Sequence, residues 1–385
     1  MSNLARSRAW VDVDLDALRH NFLTVRQAAR GSAGVIAMVK ADAYGLGDER
    51  VVHALEPLAP LGYGVACAEE GIDLRELGVG RMILVTSPLP PQGVDIAAQQ
   101  RLTASISDLG GLEWWAGAAE RLGIDLDFHV EIDTGMGRAG FDWRQVAEWG
   151  PALLARAGRA RWTGVFTHFH DADAAARDRT ATQWVRFGES LAQLPVPRNQ
   201  LVVHASNSAA ALRWPEYGVN AVRPGIYLYG GNPLAGSGAE PEIPPPRGVA
   251  AVRARIVLVR DAPAGTTVGY GATYTAPRPE RWATLAIGYG DGYSRKLGNR
   301  GFALVRGRRV PVVGRISMDM TVVDVSTVPD VQVGEVATLL GRDGVEEILL
   351  DEVATQAETI GYEVLTGLTP RLPRVEVGPS DGERR

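Results

Sequence analysis

A scarce amine in a chain full of guanidinium is the first chemical feature of this sequence. Of 40 basic residues only Lys40 and Lys296 are lysine, and the remaining 38 are arginine. Where a plain positive charge is wanted, this chain uses arginine. A lysine kept against that bias is a candidate for chemistry arginine cannot do, because an amine can lose its proton and attack a carbonyl, whereas guanidinium stays protonated. Lys40 stands in Val39-Lys40-Ala41-Asp42-Ala43-Tyr44-Gly45. Further chemical residues are Arg138, after the turn Thr134-Gly135-Met136-Gly137, then His168, Asn207 with Ser208, and Arg223 with Gly225 and Ile226.

These residues fall at the ends of short apolar, β-branched runs. The runs span 35–40, 63–68, 82–87, 102–107, 127–133, 162–169, 201–205 and 221–228, with amphipathic stretches such as 113–122, 143–157 and 174–194 between them. Eight strand–helix repeats predict a closed (β/α)8 barrel, an α/β fold whose reactive groups lie at the C-terminal ends of its strands. A run at 10–15 reads as a strand outside the barrel. The Gly- and Pro-rich stretch 236–248 reads as a linker. Beyond it, runs at 252–259, 283–287, 309–313, 320–325 and 335–340 lack long helices between them. The expected division is a barrel domain over 1–240 and a mostly β domain over 241–385.

Composition narrows the function. A formal net charge of −5 gives no reason to expect nucleic acid or an anionic membrane as partner. Single Cys67 excludes an intramolecular disulfide and a cysteine-rich metal site. No apolar run is long enough to span a bilayer, and the first residues carry no secretory pattern, so a cytoplasmic protein is expected.

Barrels hold phosphate on the loops after strands seven and eight. Ser208 offers a hydroxyl there, and Gly225 allows backbone N–H groups to approach an anion. Ser208 also suits a helix N-cap, a role compatible with anion binding. A phosphate site plus one strand-end lysine points to pyridoxal 5'-phosphate, whose aldehyde needs an amine. The Lys40 phrase resembles the cofactor-lysine motif of the alanine racemases. The resemblance continues through Asp133–Arg138, Phe166-Thr167-His168-Phe169, Asn207-Ser208-Ala209-Ala210 and Val222-Arg223-Pro224-Gly225-Ile226-Tyr227. It then runs through Tyr270-Gly271-Ala272-Thr273-Tyr274, Gly288-Tyr289-Gly290-Asp291-Gly292, Ser317-Met318-Asp319-Met320 and Gly361-Tyr362-Glu363-Val364-Leu365-Thr366.

That resemblance implies a homodimer with shared active sites and a small amino-acid substrate, alanine before serine. It implies two bases on opposite faces of the substrate's α-carbon, Lys40 and Tyr270 of the partner subunit. Free tyrosine titrates at about 10, so Tyr270 would need help from His168 and Arg223. Arg223 would face the cofactor's ring nitrogen, and Arg138 its phenolic oxygen and the substrate carboxylate. Tyr44, Asn207, Ser208, Tyr362 and the backbone at Gly225 and Ile226 would bind the cofactor. Met318 and Tyr270 of the partner subunit, with Tyr289, would line the substrate's side, with Asp173, Arg295 and Arg315 further out along the access corridor. Without the resemblance, Tyr270 reads as a strand-packing aromatic and Arg138 as a surface ion pair. His168-x-His170 with Asp171 and Asp173 also has strand spacing for a metal pair. Since His168 is already assigned, no metal is expected; His129 and His204 read as satisfied strand residues.

Two positions depart from the family pattern. Glu131 stands where many members carry a carbamylated lysine that orients the arginine at 138, and Leu46 stands where histidine is usual. With two lysines in the chain, Glu131 is expected to supply that negative charge itself, from a shorter side chain, with Arg138 shifted or a water between them. A racemase of another small amino acid, a non-enzymatic cofactor carrier and a barrel decarboxylase are the competing readings. The second domain with its Tyr270 speaks against the carrier, and missing strand motifs against the decarboxylase.

Overall fold

A computed structural model describes residues 2–29, 33–238 and 244–378. Its first layer is a ring of eight parallel strands. They are Gly34–Met38, Gly62–Val65, Met82–Val85, Thr103–Ile106, Leu126–Asp133, Ala160–Phe166, Val202–His204 and Ala221–Val222. Each pairs with its neighbours, and Ala221 opposite Gly34 closes the ring. Such strands are covered on both faces, which is why they read as unbroken apolar runs. The helices between them follow ordinary end signals. Leu109–Leu122, for example, starts where the Asp108 carboxylate accepts from the Gly111 N–H and stops at Gly123 in the left-handed region.

All but one of the barrel strands end earlier than their apolar runs, the exception being Leu126–Asp133. The run 221–228 leaves the strand after Val222; the Arg223 N–H still donates to the Ser206 carbonyl and the Pro224 carbonyl still accepts from the Met38 N–H before Ile226–Tyr229 turns as a 3₁₀ segment. Pro224 has no N–H to donate to the ladder, which explains the break. The chemical residues therefore sit on the loops just beyond the strands.

The second layer is a mostly antiparallel sheet built around the long strand Ala250–Ala262. It also takes in the chain's beginning. Ala9–Asp14 pairs antiparallel with Ala250–Ala262 and parallel with Arg374–Val377. The chain thus starts in this sheet, crosses to the barrel through helix Leu15–Ala28 and returns. The expected division at 240/241 lies outside the described residues. Buried Asp291 is gripped by Arg8, with Nη1 2.9 Å from Oδ2, and this ties the N-terminal segment to the loop carrying Tyr289. Arg374 donates to the carbonyls of Gly45, Leu368, Thr369 and Leu372, so the second domain also grips the lysine loop.

Candidate active site

A cavity of about 650 Å³ opens at the C-terminal ends of the barrel strands. Its walls include Lys40, Tyr44, Glu70, Glu131, Arg138, Phe166, His168, Asn207, Ser208, Arg223, Gly225 and Tyr362. Residues from the loops of most barrel strands meet there, with Tyr362 and Thr366 coming from helix Gly361–Thr366 of the second domain.

Lys40 follows the strand Gly34–Met38 and opens an unusual turn. Ala41, Asp42, Ala43 and Tyr44 all lie in the left-handed region, with φ between 50 and 58°. Each such residue costs about 1–2 kcal/mol relative to ordinary helix, so the surroundings must hold the turn in place. The Tyr229 hydroxyl donates to the Met38 carbonyl at 2.7 Å, and the Tyr44 and Tyr229 rings stack at 4.5 Å. Burial holds the Lys40 pKa below the usual lysine value, and the guanidinium groups of Arg138 and Arg223 push it the same way while Glu70 opposes them. The amine is thereby moved towards the neutral form that can attack a carbonyl or take a proton.

Arg223 is fully buried without a carboxylate in contact. Its Nη1 donates to His204 Nδ1 at 2.6 Å and to the His204 carbonyl at 3.1 Å. Its Nη2 donates to the Thr167 carbonyl at 2.9 Å and faces His168 Nδ1 at 3.4 Å. Arginine can only donate, so His204 must accept at Nδ1 and carry its hydrogen on Nε2. That nitrogen lies 2.8 Å from His129 Nδ1 and donates to it. Phe166 stacks on His204 at 5.0 Å and also lies under the Arg223 guanidinium. Burial, then the Arg223 charge, lower the His129 and His168 pKa values to about 3 and that of His204 well below 6.5. All three rings are neutral at pH 7. Burial also brings Arg223 down to about 10, with Glu131 opposing it, so it keeps its charge.

On the hydroxyl-bearing side, Asn207, not Ser208, caps helix Ser208–Arg213, its Oδ1 accepting from the Ala210 N–H at 3.0 Å. The Ser208 hydroxyl instead accepts from the Gly225 N–H at 2.9 Å. A Cβ at residue 225 would stand 2.1 Å from the Tyr44 hydroxyl oxygen, so only glycine permits this approach. Tyr44 is a buried residue that lines the cavity, and its hydroxyl makes no hydrogen bond among the described residues. A cavity-lining phenol without a hydrogen bond among the described residues, a serine hydroxyl and the glycine backbone beside it fit a phosphate, and a nearby amine fits an aldehyde. The residues present suit pyridoxal phosphate.

Residues 13–233 match the family described as alanine racemase, N-terminal domain, and residues 249–376 match alanine racemase, C-terminal domain. The chain belongs to the alanine racemase family. It is 38% identical to alanine racemase of Desulfosudis oleivorans over 98% of this chain and 99% of that one. It superposes on alanine racemase of Clostridium difficile 630 with a TM-score of 0.90 at 30% identity, covering 97% of both chains. The structure of alanine racemase from Bartonella henselae, which carries covalently bound pyridoxal phosphate, superposes with a TM-score of 0.85 at 28% identity. That match covers 96% of this chain and 99% of the other.

Against the alanine racemase pattern, not every expected site residue reaches the cavity. Lys40, Tyr44, Arg138, His168, Asn207, Ser208, Arg223, Gly225 and Tyr362 line it. The Ile226 side chain is buried against Gly231, so what this residue can offer is its backbone, as expected of it. Tyr270, Tyr289 and Met318 do not line the cavity. They are 68%, 40% and 52% exposed on the second domain, so Tyr270 is no packing aromatic. Backbone bonds from Tyr289 to Ser317 and from Gly290 to Met318, with Gly269 against Arg315, join these residues into one exposed face.

Glu131 is buried and receives one hydrogen bond, from Ser107 at 3.3 Å. Arg138 makes no hydrogen bond or ion pair among the described residues, so neither kind of bond joins it to Glu131, although both line the cavity. Burial raises the Glu131 pKa above the usual carboxylate value, and Arg138 and Arg223 oppose that rise. Glu70, Phe166 and Thr366 line the cavity without having been singled out from the sequence. Glu70 was accessible to the strand-end rule, since it follows the strand Gly62–Val65 by five residues. The role of His129 and His204 behind Arg223 had no sequence signal, because their contacts join residues 75 positions apart.

Proposed function

We propose that this chain interconverts L- and D-alanine as a pyridoxal-phosphate-dependent homodimer with shared active sites. Lys40 and Tyr270 of the partner subunit are the two bases, and the second domain carries the tyrosine across. When bound, the cofactor supplies an aldehyde for the amine and a ring that accepts the electron pair left at Cα. Lys40 would hold it, with Tyr44, Ser208, Gly225 and Tyr362 for its phosphate and Arg223 for its ring nitrogen. The observation that carries the reading is one cavity joining a Lys40 of lowered pKa to a cradle of Tyr44, Ser208 and Gly225. Exposed Tyr270, Tyr289 and Met318 support the shared site, because three large side chains on one open face suit a subunit contact.

Arg223 only donates, so the group it faces stays unprotonated, and the neutral histidines behind it hold no spare proton. The Lys40 amine would take or return a proton at Cα on its own side, and the partner's Tyr270 would serve the opposite side. Racemisation measured by chiral chromatography against L-alanine, L-serine and larger amino acids tests the activity. Mixing tests the sharing. Lys40→Ala and Tyr270→Phe homodimers should each be nearly inactive, while subunit exchange between them restores one intact site per dimer. No regained activity in a verified heterodimer would refute the shared two-base site.

A further inference from the structure

We propose that Glu70 is a positioning residue for this reaction, bridging the Lys40 turn to the neighbouring strand end and presenting a fixed negative charge to the amine. The proposal rests on the reading that Lys40 does the chemistry. Glu70 Oε1 accepts from the Ala41 N–H and Oε2 from the Ala66 N–H, each at 2.7 Å. Ala41 is the first of the four left-handed residues, directly after the lysine. Ala66 directly follows the strand Gly62–Val65.

The side chain is used in an uncommon way. Helix Ala68–Glu76 has Cys67 at its N-cap, which makes Glu70 the third helical residue. A glutamate there ordinarily folds back onto the N-cap N–H of its own helix. Here it reaches one residue further back and also across to the next barrel loop, so one carboxylate joins two strand ends. A turn of left-handed residues cannot hold itself, and Glu70 pins its first N–H from the cavity side while Arg374 holds the Gly45 carbonyl from the other domain. Glu70 lines the same cavity as Lys40.

Charge gives the second part of the role. The groups bearing on the Lys40 amine are Arg138 and Arg223, which favour its neutral form, and Glu70, which favours the ammonium. Glu131, His168, Tyr44 and Tyr362 share the cavity. With burial and two arginines acting together, Glu70 is the counterweight that keeps the amine able to hold the proton it takes from substrate.

The two-lysine composition makes the test clean. The full-length chain, freed of cofactor, is reacted with formaldehyde and cyanoborohydride across a pH series, and methylation of Lys40 and Lys296 is read by peptide mass spectrometry. Exposed Lys296, 3.5 Å from Glu358, is the internal reference. In Glu70→Gln the Lys40 midpoint should fall by about one pH unit with Lys296 unmoved. Amide exchange at Ala41 and Ala66 should rise about tenfold. Glu70→Asp keeps the charge on a shorter arm, so exchange should rise while the midpoint moves less. An unchanged Lys40 midpoint in Glu70→Gln, or faster exchange at Ala66 alone, would reduce Glu70 to a local helix cap and overturn the proposal. Failure of Lys40 to take up pyridoxal phosphate would instead sink the functional reading, and the titration would stand apart from it.

Discussion

His129 and His204 should make this protein acid-labile at a pH where most carboxylates are still charged. Both rings are fully buried, and burial together with the Arg223 charge drives their pKa values far below 6.5. A ring that binds its proton less readily when folded favours the unfolded chain in acid. Its contribution is intact above about pH 6.5, declines as pH falls through that value, and for His129 stops declining near 3. At pH 5, about 1.5 units below the unfolded pKa, keeping the His129 ring neutral costs about 2 kcal/mol, and His204 adds to that cost in the same direction. That is a large share of a typical folding stability of about 5–15 kcal/mol. His168 is left out of the sum because it opens on the cavity. The assay is proton uptake on urea unfolding in weakly buffered solution at pH 5, compared with His129→Asn, whose amide oxygen can still accept from His204. The variant should take up about one proton fewer per chain. Equal uptake in both proteins, or stability that stays level between pH 6.5 and 5, would refute the argument.

Three further outcomes follow from the same geometry. Gly225→Ala places a Cβ 2.1 Å from the Tyr44 hydroxyl oxygen, so pyridoxal-phosphate affinity should fall at least tenfold by absorbance titration while the fold persists. Asp291→Asn strands Arg8, whose side chain is 34% exposed; the loss should be about 3 kcal/mol in denaturant titration, the lower end for a broken buried pair. The Arg8 contact holds the Asp291 pKa down despite burial, so that contribution is present above about pH 4 and lost as pH falls below it. Glu131→Gln removes a buried charge that acts on Arg138 through space alone, which should raise KM for alanine roughly fivefold, about 1 kcal/mol. Unchanged KM and kcat would remove Glu131 from the site.

The order of elements and the chemical residues were legible in the linear chain for a physical reason. Parallel strands buried on both faces must be apolar runs, so eight of them, and the strand-end positions of Lys40, Arg138, His168, Ser208 and Arg223, follow from local composition. Scarcity of lysine marked Lys40 without any structure. What folding decided depends on contacts between distant positions. The first strand joins a sheet whose partners lie some 240 residues later; Asn207 takes the cap and frees Ser208 for the Gly225 N–H. His129, His204 and Arg223 become a single buried chain, and Glu70 spans two loops. No local pattern encodes such pairings, because hydrogen bonds and desolvation are set by which atoms close packing brings within 3 Å, not by neighbours along the chain.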